Sequence, residues 1–225
     1  MTHTIWSASV LRCDLGRLAE SAKELESAGC ADLHVDVADG SFTPDFALGP
    51  DAVRALRDAC GLPCAAHLMV EQPGKHIDRF IQAGCAAIYT HAEADIHAHR
   101  ALAQIRDAGA EAGLAVCPST PLTKIQYLMG GADRLLVLAS DPLGAAAYLP
   151  GTLDRVRILR ENLDYLASRA RIEVEGNLTV QDAALLSREG ADGIILDRAE
   201  VLNSEDLTKC LKDYFVAFEE SRVTA

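Results

Sequence analysis

Ala28-Gly29-Cys30-Ala31-Asp32-Leu33 is the first of four copies of one local pattern. The others are Ala83-Gly84-Cys85-Ala86-Ala87-Ile88, Ala108-Gly109-Ala110 ahead of Leu114-Ala115-Val116, and Glu189-Gly190-Ala191-Asp192-Gly193-Ile194. In each, a helix-like run ends at a glycine, placed where a helix C-cap calls for positive φ. The apolar run that follows is short and hardly alternates, as strands buried on both faces do. Helix end, glycine and buried strand in repetition are the rhythm of βα units.

Working outward from these copies, strands are expected near 5–10, 33–37, 64–69, 87–91, 112–117, 134–139, 171–175 and 193–196. Amphipathic stretches such as 15–28 and 180–188 lie between them. Eight strands alternating with eight helices in 225 residues suit a closed parallel barrel better than an open doubly wound sheet. The expected fold is therefore α/β, a (β/α)8 TIM barrel, with residues 1–225 as one domain and a modest helical tail over 205–218.

Composition narrows the function. With 49% hydrophobic residues the chain can bury enough surface to offset the entropy of ordering, which excludes a disordered polypeptide. A net charge of -12 argues against a nucleic-acid partner, since phosphate backbones are bound by basic surfaces. No apolar stretch nears the roughly 18–20 residues that span a bilayer, and no leader-like segment opens the sequence, so no membrane partner and a cytoplasmic location are expected. The seven cysteines are scattered without a C-x-x-C pair, the usage of small buried hydrophobes rather than of disulfides or a zinc cluster.

In such a barrel, chemistry sits at the C-terminal strand ends. The polar residues expected there are Ser9, His34, Asp36, Asp39, His67, His91, Glu93, Glu173, Glu175, Asp197 and Arg198. His34-Val35-Asp36 is an i, i+2 pair, so both side chains leave one face of strand 2. His67 lies on the next strand and Glu175 enters from across the barrel. Two imidazoles and two carboxylates converging there form a candidate site for one divalent ion: zinc, iron, manganese or cobalt. Asp36 and Glu175 on opposite sides of a substrate could also act as a catalytic pair. One would remove a proton from carbon and the other would return one to the opposite face, with the ion as Lewis acid on the enediolate. That is epimerisation beside a carbonyl, and it needs no organic cofactor. Trp6, Met69 and Met129 read as core, His76, His97 and His99 as solvated helix residues, and Gly130-Gly131 as a helix end.

The run Ser9-Val10-Leu11, then His34-Val35-Asp36-Val37-Ala38-Asp39-Gly40-Ser41-Phe42-Thr43-Pro44, Leu48-Gly49-Pro50, His67-Leu68-Met69-Val70 with Pro73, His91-Ala92-Glu93 and Pro118-Ser119-Thr120-Pro121 resembles the ribulose-phosphate 3-epimerase family. The likeness is in register over roughly the first 130 residues. It implies the ribulose-phosphate-binding type of barrel, with His34, Asp36, His67 and the strand-7 carboxylate as metal ligands. It further implies Asp36 and that carboxylate as the acid/base pair, Ser9 as a substrate contact and Met69 as a site-lining residue. The nominal reaction is D-ribulose 5-phosphate to D-xylulose 5-phosphate.

The last third departs from the family pattern. Strand 7 reads Glu173-Val174-Glu175-Gly176-Asn177 where the family carries E-V-D-G-G. The loop N-P-G-F-G-G becomes Asp141-Pro142-Leu143-Gly144-Ala145-Ala146, and G-S after strand 8 becomes Asp197-Arg198. A methionine is replaced at Ala38, and Arg12 stands in a small polar position. Glycines in such loops let backbone N–H groups approach a phosphate. A carboxylate about 4 Å from a phosphate charge costs on the order of 4 kcal/mol at an effective dielectric of about 20. Substrate contacts are expected from Ser9, His67, Met69, Gly144, Gly176, Asn177, Asp197 and Arg198. The expected partner is a small sugar or sugar phosphate, and a homo-oligomer stays open. Two further readings stand beside the nominal one. One is an epimerase of another ketose or sugar acid without the terminal phosphate, read by Asp197, Arg198 and Arg12, for which ribulose 5-phosphate is a poor substrate. The other is a non-catalytic sugar-binding relative.

Overall fold

The computed structural model describes residues 4–143 and 148–224. Its strands are β1 (Ile5–Ser9), β2 (Asp32–Ala38), β3 (Cys64–Met69), β4 (Ala87–His91), β5 (Glu111–Val116), β6 (Arg134–Leu138), β7 (Arg171–Gly176) and β8 (Gly193–Leu196). Its helices are α1 (Leu18–Ala28), α2 (Pro50–Ala59), α3 (Ile77–Ala83), α4 (Ala98–Asp107), α5 (Thr152–Tyr165), α6 (Val180–Arg188), α7 (Ala199–Leu202) and α8 (Leu207–Thr224). Each strand pairs in parallel with the next, and β8 returns to β1, so the sheet is a closed barrel in chain order. The (β/α)8 barrel expected from the repeat is the fold observed. None of the helices among the described residues is long and apolar enough to cross a membrane.

The repeat's glycines act as their positions require. Gly29 and Gly84 take φ of 99° and 95°, and their N–H groups bond back onto the last carbonyls of α1 and α3. The connection from β5 to β6 departs from eight regular βα units. It holds only two single 3-10 turns, Leu122–Lys124 and Met129–Gly131, because Pro118, Pro121 and Gly130-Gly131 leave too little uninterrupted chain for an α-helix. The modest tail expected over 205–218 is instead a full helix. α8 packs against α1 and α6 and closes the outer ring. Its Tyr214, Phe215 and Phe218 surround Trp6, with ring centroids 5.8, 4.8 and 4.7 Å away.

Most of the apolar core lies between sheet and helices. Inside the barrel the apolar filling is small: Ala65, Ala87, Tyr89, Ala115, Leu136, Leu138 and Ile195. Tyr89 fits only because Gly113 faces it, since a Cβ there would sit 2.2 Å from the ring. Below this layer, towards the N-terminal strand ends, lies a buried polar floor. Arg134 donates to Asp32 at 2.7 Å and to the Tyr89 hydroxyl at 3.1 Å, and Tyr89 donates to Glu173. This corrects the expectation for Glu173. It points inward like Glu175 but one layer deeper, where burial pushes its carboxyl up against the opposing pull of Arg134. The floor is structural, as the N-terminal face of such barrels generally is. Arg134→Met leaves buried carboxylates without their cation, a change that costs about 3–5 kcal/mol. At about 2–4 °C per kcal/mol for a chain this size, thermal unfolding is expected to show a melting temperature lower by roughly 6–20 °C. A change under about 2 °C would contradict the role given to the floor.

Candidate active site

Parallel pairing delivers the site. The β2–β3 register sets Asp36 beside His67, and the β1–β2 register sets Ser9 beside His34. The alternation of strand side chains turns His34, Asp36, His67 and Glu175 inward at the C-terminal end. All four are buried. His34 Nε2 lies 3.3 Å from His67 Nδ1, 3.4 Å from Asp36 Oδ1 and 3.4 Å from Glu175 Oε2. His67 Nδ1 lies 3.2 Å from Asp36 Oδ1 and 3.3 Å from Glu175 Oε2. An ion held in a tetrahedron by N and O donors at about 2.0–2.1 Å needs those donors about 3.3–3.4 Å apart. These five separations fit that requirement. Glu175 Oε2 accepts no hydrogen bond although fully buried, so a cation would satisfy an otherwise orphaned acceptor. The donors can hold a metal ion, and the chemistry of two imidazoles with two carboxylates suits a divalent one.

The electrostatics agree. Burial would lower both imidazoles, but Glu175 and Asp36 outweigh it and raise His34 and His67. Burial would raise the two carboxyls, yet His34 and His67 hold Asp36 well below the usual range and His34 leads in lowering Glu175. The two imidazoles thus favour the ionised form of both carboxyls. The other Asp36 oxygen accepts the Ser9 hydroxyl at 2.5 Å, which fixes the carboxylate plane.

A small cavity opens beside the cluster, lined among the described residues by Asp36, His67, Met69, Glu175, Gly176 and Asp197, with Leu138 and the loop residues Ser140 to Leu143. Of the residues expected at the substrate, Met69, Gly176 and Asp197 thus share this cavity with His67, and Ser9 supports Asp36. Asn177 is exposed and is not among the lining residues. Arg198 turns away, donating to the Leu178 carbonyl and to Glu200. Gly144 falls outside the described residues. Asp39 ties loops together by accepting the backbone N–H groups of Ser41, Phe42 and Glu71.

Asp197 is not the bare charge expected from its sequence position. Arg12 grips it with two N–H groups, at 2.5 and 3.2 Å. Burial first, then the charges of Glu175 and Asp36, push its carboxyl up to about 6 against the pull of Arg12. The native state therefore keeps this proton above the ordinary range near 3.9, and stability contributed through it falls as pH rises from about 4 to 6. Melting temperatures measured across that window should show the wild type losing ground relative to Asp197→Asn as pH increases. Parallel curves would contradict the shifted carboxyl.

A second cluster adjoins the first. His91, Glu93 and the Cys117 thiol meet beside His67, with His91 Nε2 only 2.8 Å from His67 Nε2. His91-Ala92-Glu93 repeats the imidazole-x-carboxylate spacing of His34-Val35-Asp36. That spacing was the signal in the sequence for this neighbour. Arg12 carried a weaker one, a long cation just past the first strand.

A parallel barrel whose C-terminal mouth holds a buried imidazole and carboxylate cluster able to hold a metal ion falls in the class of (β/α)8 proteins with their chemistry at the C-terminal strand ends. The sequence comparisons specify it: a model described as the ribulose-phosphate 3 epimerase family matches residues 5–200. Relatives include the chloroplastic ribulose-5-phosphate-3-epimerase of Arabidopsis thaliana, 34% identical over 92% of this chain and 75% of the relative. The ribulose-phosphate 3-epimerase of Synechocystis is also 34% identical, over 93% of this chain and 92% of the relative. Among solved structures, orotidine 5'-phosphate decarboxylase from Pyrococcus horikoshii superposes with a TM-score of 0.70 over 96% of this chain and 99% of that one, at 14% identity, a likeness of fold alone. The chain belongs to the ribulose-phosphate 3-epimerase family and is an epimerase, hence an isomerase.

Proposed function

We propose that the chain interconverts D-ribulose 5-phosphate and D-xylulose 5-phosphate by proton transfer between two carboxylates, with one zinc, iron, manganese or cobalt ion held by His34, Asp36, His67 and Glu175. The observation that carries this reading is the buried tetrahedron of donors, two of which are carboxylates from strands three steps apart around the ring. When bound, the cation supplies Lewis-acid stabilisation for the negative charge that develops on the sugar's carbonyl oxygen.

The protein's own residues do the rest. Of Asp36 and Glu175, one acts as the carboxylate that removes the proton from the carbon beside the carbonyl on one face. The other, carrying a proton acquired from solvent, delivers it to the opposite face, so that each ends in the other's starting state and exchanges with solvent before the next turnover. Ser9 holds Asp36 in orientation, and His34 and His67 fix the donor geometry. Met69 and Leu138 supply the apolar part of the cavity lining beside the two carboxyls. Gly176 and Asp197 lie along the cavity on the side where the departures from the family pattern cluster. The Arg12 contact pairs the Asp197 charge, so the phosphate meets an ion pair rather than a lone carboxylate. This weakens the case for a substrate without phosphate, and four intact donors leave the non-catalytic relative without support.

Steady-state kinetics on paired substrates test the reading. On the metal-loaded protein, kcat/KM for D-ribulose 5-phosphate is expected above about 10⁴ M⁻¹s⁻¹, the lower end of the ordinary range. It should exceed that for unphosphorylated D-ribulose by at least about tenfold, since the phosphate supplies binding energy used at the reacting centre. Equal or reversed values would overturn the phosphate assignment.

A further inference from the structure

The second cluster looks outwardly like another ion site. His91 Nδ1 lies 3.1 Å from Glu93 Oε2 and 3.5 Å from Cys117 Sγ, spacings that three ligands of one zinc ion would also show. Hydrogen-bond logic decides against it. His67 faces the first cluster through Nδ1. A neutral imidazole that gives one nitrogen to a cation carries its proton on the other. His67 Nε2–H therefore donates to His91 Nε2 at 2.8 Å. That leaves the His91 proton on Nδ1, where it meets Glu93 Oε2. Glu93 is fixed in turn, because its other oxygen accepts the Cys117 backbone N–H at 3.0 Å. Every donor has an acceptor in this arrangement. A cation on His91 Nδ1 would move the His91 proton to Nε2 and set two N–H donors against each other at 2.8 Å between two fully buried rings.

We infer that His91 and Glu93 are positioning residues: through a chain of hydrogen bonds from Glu93 to His91 to His67, they fix the tautomer and orientation in which His67 receives a divalent cation, and they exclude a second cation from the His91, Glu93 and Cys117 cluster. The inference rests on the proposed metal site and adds to it a support that reaches Cys117, the residue just after β5. Partners of this kind around metal-ligating histidines typically change metal affinity by 10–100-fold.

Zinc and cobalt(II) titrations of metal-stripped protein, read by competition with a chelator and by the cobalt absorption spectrum, test it. The wild type is expected to take up one ion. His91→Leu removes the acceptor for His67 and is expected to weaken binding by 10–100-fold and to alter the cobalt spectrum. His91→Gln, whose amide oxygen can replace the Nε2 acceptor, is expected to stay within about threefold of the wild type. Glu93→Ala, at a half-buried position that tolerates change more readily, is expected to weaken binding by about tenfold or more. The inference is overturned if His91→Leu or Glu93→Ala binds as the wild type does, or if His91→Gln is as weak as His91→Leu. It is equally overturned if the wild type binds two ions and Cys117→Ser loses one. A wild type that takes up no ion would instead bring down the proposed metal site itself.

Discussion

Asp36→Asn and Glu175→Gln are each expected to lower kcat by at least about 1,000-fold with D-ribulose 5-phosphate as substrate. A positioned acid or base commonly contributes 10²–10⁴-fold. Inversion needs proton removal on one face and delivery on the other, so losing either group leaves one half-reaction unsupported. Asp36→Asn carries a second effect. Its Oδ1 is one of the clustered donors and its Oδ2 holds the Ser9 hydroxyl, so an amide there disturbs both contacts. Glu175→Asp separates charge from reach: the carboxylate remains but retracts by about one C–C bond. A misplacement of about 1 Å can cost on the order of 100-fold, and a drop of that size, smaller than that of Glu175→Gln, is expected. Steady-state assays at saturating metal decide the matter. Either amide within about tenfold of the wild type would rule out the pair.

His34→Ala and His67→Ala are expected to reduce bound metal from about one ion per chain to under about one tenth after desalting. Each removes one of four donors whose mutual spacing suits a single ion. Stability supplies an independent reading. An ion that binds only the folded chain adds about 4 kcal/mol at a free concentration of about 1,000 Kd. For a chain of this size that corresponds to a melting temperature higher by roughly 8–16 °C. The wild type should show the shift and both alanine variants should lack it. Metal content unchanged in His67→Ala would remove the cluster as the ion's site.

Much of this was legible in the residues because buried parallel strands write themselves as short apolar runs after a glycine. β3, β4 and β8 begin and end where those runs do. The ligands were legible for a related reason. A histidine and an aspartate at i, i+2 inside an apolar run have no bland position on a doubly buried strand. Depth was not legible. Glu173 and Glu175 share a face and a chemistry, and only the register of β7 against β6 and β8 shows that one belongs to the floor with Arg134 and the other to the mouth. Pairing across the ring was hidden too. Arg12 and Asp197 are far apart in sequence, and their contact exists because β8 closes onto β1. The tail was underestimated because Tyr214, Phe215 and Phe218 gain their meaning only once Trp6 is beside them.

The measurement that bears most directly on the proposed chemistry is proton NMR of D-ribulose 5-phosphate incubated with metal-loaded protein in heavy water. Transfer through two carboxylates exchanges the proton at the carbon that inverts. The expected result is conversion to a mixture with D-xylulose 5-phosphate in which the newly formed epimer carries deuterium at that carbon and nowhere else. Inversion without deuterium at that position, or no conversion with one ion bound per chain, would contradict proton transfer by Asp36 and Glu175.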